Sequence, residues 1–88
     1  MNTSKKDFLL DVRTTQEFKE QSVPNSTNTP LNKIPNNLEK LKQINQTILL
    51  ICRSGARASA AQDFLNNQGI KNTKVLEGGL LSNPHLLK

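Results

Sequence analysis

The sequence predicts an α/β domain: a small, mostly parallel sheet flanked by helices on both faces. Short apolar runs at residues 8–12, 48–51 and 73–76 alternate with stretches of helical spacing, the pattern of a parallel sheet built by right-handed crossovers. The run Thr47-Ile48-Leu49-Leu50-Ile51 stops at the chain's one cysteine, Cys52, and a polar loop with one glycine and two arginines leads into an alanine-rich helical stretch. Each strand run also ends in charged or glycine residues: Asp11-Val12-Arg13, Cys52–Arg57 and Glu77-Gly78-Gly79. In an open α/β sheet these tips share the carboxyl edge, where ligands bind, so they are expected to converge on one pocket.

Composition bounds the function. Eighty-eight residues with 34% hydrophobic content make a single domain over residues 1–88 with a thin core. A mean hydropathy of −0.56 is low, yet the apolar residues are grouped into runs, which argues for folding. The net charge of +5 favours anionic partners. With three Phe, no Trp or Tyr and scattered lysines, no nucleic-acid partner is expected, and the basicity reads as a solvated surface. One cysteine excludes an internal disulfide, and Cys52 with His85 is too few ligands for zinc, so no metal is expected. The first apolar run is too short for a signal-peptide core or a membrane helix. The chain therefore reads as a cytoplasmic monomer, the periplasm staying open if a leader was removed.

Taken in order, residues 1–6 form a frayed polar start, and Phe8–Val12 a short buried strand. Thr14-Thr15-Gln16-Glu17 has the spacing of a capping box, Thr14 as N-cap and Glu17 reaching back from the third position, with Phe18 anchoring the short helix to the core. Residues 21–30 have a loop composition with Val23 as its apolar anchor and room for a brief strand at Thr27-Asn28-Thr29. Leu31, Ile34, Leu38 and Leu41 fall at helical spacing, and Pro35 suits a first turn, which predicts a helix from about Pro35 to Lys42. Asn45-Gln46 turns the chain into the central strand.

Ala58, Ala61, Phe64 and Leu65 lie on one face of a helix over residues 57–68, small residues first, so its start presses close to the sheet. Gly69 and Ile70 have the positions of a Schellman ending, with Ile70 meeting Leu65. Thr73–Leu76 is a last strand and Glu77-Gly78-Gly79 a turn. Leu80-Leu81 and Leu86-Leu87, interrupted by Pro84, form a terminal apolar patch.

A lone cysteine after an apolar strand reads as a small buried hydrophobe. The loop after Cys52 changes that reading. Arg53 and Arg57 bring two permanent cations, Gly55 allows a tight turn, and backbone amides with the helix dipole stabilise a thiolate. Cations in a helix's first turn oppose its dipole, which a bound anion would explain. His85 lies in the tail and offers no nearby base, so activation must be electrostatic. That suits a cysteine that accepts a sulfur atom and holds it as an anionic persulfide.

Asp11-Val12-Arg13-Thr14 with Glu17-Phe18, Val23-Pro24, Thr29-Pro30-Leu31, Cys52-Arg53-Ser54-Gly55-Ala56-Arg57-Ala58-Ser59 and Leu76-Glu77-Gly78-Gly79 resemble the ordered landmarks of a rhodanese homology domain. The resemblance covers nearly the whole chain, and its brevity is similar to that of compact phage-shock rhodaneses. It implies a rhodanese-like fold and a sulfurtransferase without cofactor. Cys52 would take the outer sulfur of thiosulfate or another small anionic donor and pass it to cyanide or a thiol, a protein thiol included. By position, Arg53, Ser54, Gly55, Ala56 and Arg57 would bind the donor, the two arginines steering it, while Asp11 and Arg13 would brace the loop.

Two departures stand out. The family's frequent Gly-His-Ile-Pro-Gly-Ala appears as Gln21-Ser22-Val23-Pro24-Asn25-Ser26, and Leu80-Leu81 replaces an aromatic residue after the Gly-Gly turn, which predicts a more open pocket wall. A cysteine-dependent phosphatase of related fold places arginine six positions after cysteine, where this chain has Ala58. A non-catalytic or redox-sensing module that binds a partner protein is the other alternative, although inactive modules commonly lack the cysteine.

Overall fold

In the computed structural model, which describes residues 7–88, four strands form one wholly parallel sheet in the order β2-β1-β3-β4. The strands are β1 (Phe8–Asp11), β2 (Thr27–Asn28), β3 (Ile48–Ile51) and β4 (Thr73–Val75), and the helices α1 (Thr15–Glu20), α2 (Leu38–Lys42), α3 (Ala56–Asn67) and α4 (Gly79–Ser82). The polar start expected at residues 1–6 lies outside the described residues. β1 and β3 are the central pair, with Phe8 opposite Ile48 and Asp11 opposite Ile51, so their charged and cysteine-bearing tips end side by side.

Alternation along the strands sends side chains to two cores. Leu10, Ile48 and Leu50 face one side, where they meet Ile34, Leu41, Ala58, Ala61, Leu65 and Ile70. Each fully buried leucine or isoleucine there contributes about 1.5–3 kcal/mol of transfer free energy. Ile51 faces the other side with Val23 and Leu80, and half-buried Leu9, Leu49, Leu76, Leu86 and Leu87 pack around them. The cover is unequal. The longest helix, α3, belongs to the first face, whereas short α4 and a 3₁₀ turn at Pro84–Leu86 serve the second. Leu80 is buried in this terminal patch but Leu81 is 60% exposed.

Local signals set the element ends. The Thr14 hydroxyl accepts from the Glu17 amide at 3.2 Å while the Glu17 carboxylate accepts from the Thr14 amide at 2.9 Å, completing the capping box. α3 ends as a Schellman motif, the Ile70 amide donating to Leu65 O at 2.9 Å and Gly69 N to Asn66 O at 3.1 Å.

Two expectations are corrected. α1 buries no residue fully, and half-buried Phe18 is not among the side chains packed on either core. The α-helix expected from Pro35 starts at Leu38, because Leu31–Asn37 is a 3₁₀ helix with Pro35 inside it. Proline lacks the amide for an α-helical bond and its ring crowds the carbonyl four residues back, whereas a three-residue period still turns Leu31 and Ile34 to the core. In the 21–30 loop, Asn25 adopts φ 70°, the left-handed conformation for which asparagine substitutes for glycine.

Candidate active site

Cys52 follows the last residue of β3 and is 1% exposed. Gly55, at φ 103°, reverses the chain so that α3 starts at once, and no side chain caps the helix from that position. The orphan amide of Ala58, third in the helix, instead donates to Cys52 Sγ at 3.3 Å, and the Gly55 amide donates to the same sulfur at 3.0 Å. The sulfur thus stands where an N-cap oxygen would. Amides and helix dipole both favour negative charge there. The Ser54 hydroxyl accepts from the Ala56 amide at 3.4 Å.

The turn after β4 holds this loop from behind. Leu80 N donates to Cys52 O and Leu81 N to Arg53 O, each at 2.9 Å. Gly79 makes this approach possible: at φ 60°, a Cβ there would collide with the Arg53 carbonyl and come within 2.7 Å of Cys52 O. The Glu-Gly-Gly turn is therefore part of the cysteine loop's support.

Asp11 and Arg13, both buried, brace the neighbouring strand tip. The Arg13 guanidinium donates to both Asp11 oxygens, Nη2 at 2.8 Å and Nε at 3.0 and 3.1 Å, and Nη2 also donates to Gln21 O at 2.7 Å. Asn28 Nδ2 donates to the carbonyls of Asp11 and Arg13, each at 3.0 Å. Sequence reasoning missed Asn28 as a brace, since no local pattern links it to residues fifteen and seventeen positions earlier.

Arg57 has a partner within the chain that its sequence position does not announce. Its Nη1 and Nη2 donate to the two Glu17 oxygens at 2.7 and 3.1 Å, so the anion beside this first-turn cation is a carboxylate of the chain itself. The Arg57 hydrogen bond, aided by those from Thr14 and opposed by desolvation, pulls the Glu17 carboxyl down to about 2. Glu17 in turn holds the Arg57 guanidinium above its ordinary value against partial burial, with smaller support from the Cys52 and Asp11 charges. The available signal was that Arg57 opposes the helix dipole and so needs an anion. The local spacing around Glu17 points only to a cap.

Beside the loop lies a cavity of about 360 Å³ lined by Arg13, Glu17, Glu20, Arg53 and the apolar Leu80, Leu81, Pro84 and Leu87. Exposed Arg53 has no ion pair among the described residues. The three strand tips therefore meet around one site, with Leu80 and Leu81 as a wall. Among the described residues, no cluster of three or more His, Cys, Asp or Glu could hold a metal ion, and no helix is long and apolar enough to cross a membrane.

Comparison with known proteins matches the pattern of the rhodanese-like domain to residues 1–82. Over 75 residues the chain is 33% identical to YtwF of Bacillus subtilis, covering 85% of this chain and 71% of that one. It is 30% identical to a sulfurtransferase of Allochromatium vinosum, covering 85% and 69%. A rhodanese-related protein from Thermoplasma volcanium superposes with a TM-score of 0.83 at 31% identity, covering 94% of this chain and 81% of that one. With that match running through both the cysteine loop and the Gly-Gly turn behind it, this chain belongs to the rhodanese-like family of sulfurtransferases.

Proposed function

We propose that the protein moves sulfane sulfur from thiosulfate or a related small anionic donor to cyanide or a thiol, through a persulfide on Cys52. The observation that carries this reading is the pair of amides, from Gly55 and Ala58, aimed at Cys52 Sγ. They stabilise negative charge on sulfur without a histidine base. The thiolate attacks the outer sulfur of thiosulfate, a new S–S bond forms on Cys52, and the donor's S–S bond breaks with its electron pair leaving as sulfite. Cyanide then attacks the terminal sulfur of the persulfide, and thiocyanate departs as the Cys52 thiolate is regenerated.

Arg53, Ser54, Gly55, Ala56 and Arg57 form the donor-binding ring in this proposal, Arg53 being the cation free to steer an anion. Asp11 and Arg13 act through the strand tip. The nearly covered thiol favours a donor that presents a single terminal sulfur atom. A protein thiol is a natural acceptor, and the protein acts as a monomer. Because Cys52 must stay reduced, a reducing compartment such as the cytoplasm suits the reaction.

Intact-mass measurement after incubation with thiosulfate tests the proposal: the wild type gains one sulfur, about 32 Da, which cyanide removes with release of thiocyanate. Cys52→Ser gains nothing while keeping its fold, since a hydroxyl also caps a helix. Loading of the Cys52→Ser variant would overturn the mechanism, and no loading of the wild type would overturn the donor assignment.

A further inference from the structure

We infer that Glu17 is an internal competitor of the anionic donor, so that the site discriminates among sulfur donors by charge. This rests on the transfer reading above and extends it to substrate class. Glu17 holds two of the Arg57 N–H donors in a bidentate pair, the geometry an oxyanion would use. Glu17 also lines the cavity beside the cysteine loop, and Arg57 directly precedes Ala58, whose amide meets Cys52 Sγ. An anionic donor that enters this cavity meets the Glu17 carboxylate, and one that engages Arg57 must share or displace it. Glu17 stays ionised throughout the neutral range, because its carboxyl is pulled down to about 2.

The surrounding charges point the same way. Arg13 is committed to Asp11 and Arg57 to Glu17, while Glu20 adds a further carboxylate at the cavity, leaving Arg53 as its one cation without an ion pair among the described residues. Along the cavity lining, Arg13 and Arg53 are thus balanced by Glu17 and Glu20, although the chain as a whole carries +5. A balanced site penalises a dianion more than a donor of lower charge. Among small anionic donors, the class that suits it better than the thiosulfate dianion is a monoanionic carrier of sulfane sulfur, such as an organic thiosulfonate.

Thiosulfate and methanethiosulfonate make the test, since they differ by replacement of one charged oxygen with a methyl group. With methanethiosulfonate the Cys52 thiolate attacks the outer sulfur and the S–S electron pair leaves with methanesulfinate. Glu17→Gln removes the charge but keeps a residue that serves the same position of a capping box. Because Coulomb energy scales with donor charge, kcat/KM in the variant should rise roughly threefold for the monoanion and about tenfold for the dianion. The thiosulfate to methanethiosulfonate ratio therefore rises about threefold, and added salt narrows the gap. A merely structural Glu17 would change both donors alike, and an unchanged ratio overturns the inference while leaving sulfur transfer standing. Failure of both donors to load the wild type would overturn the transfer reading and this inference together.

Discussion

Cys52 Sγ receives two amides because α3 begins four residues later without a capping side chain, so the helix and the sulfur satisfy one another. Much of this was legible locally: an apolar run, a cysteine, a glycine able to take positive φ, then helical spacing. Asp11 and Arg13 pair with one another at the neighbouring strand tip, and their burial sets the penalty for separating them. Arg13→Met leaves Asp11 buried without its partner and should cost about 3–5 kcal/mol, read from the urea unfolding midpoint at constant slope. A loss below about 1 kcal/mol, the range of an exposed pair, would show that the buried carboxylate does not depend on Arg13. The Arg57–Glu17 pair was hidden because its members are forty positions apart and each already had a local explanation.

At the scale of elements, rules confined to a few residues held. The capping box of α1 and the Schellman ending of α3 stand where spacing put them, since both depend on backbone groups within six residues. The Leu31–Leu41 stretch was misread because its apolar spacing fits both a 3₁₀ and an α period, and Pro35 decides between them. α1 has no fully buried residue, so it is held by its cap, its ion pair to α3 and the Arg13 bond to Gln21 at its end. Glu17 is lowered in the fold from 4.5 to about 2, so its contribution is present above 4.5 and lost as pH falls towards about 2. Thermal unfolding of the wild type and Glu17→Gln should therefore differ at neutral pH and converge as pH falls through that window. A difference that stays constant down to pH 2 would contradict the ionic role of Glu17.

At the scale of the molecule, parallel order β2-β1-β3-β4 places the Asp11 and Cys52 tips side by side and brings the Gly-Gly turn behind them. The alternation of runs announced a parallel sheet, but neither the strand order nor how unevenly the two faces are covered, because Leu80, Leu86 and Leu87 find their sheet face only through tertiary packing. The whole arrangement converges on two N–H groups, those of Gly55 and Ala58, at one sulfur. Amide proton and nitrogen shifts, recorded by NMR before and after loading with thiosulfate, test that point most directly. The Gly55 and Ala58 amides should shift most on loading and return when cyanide is added. Loading that leaves both amides unmoved, or that shifts a different part of the chain, would contradict that convergence.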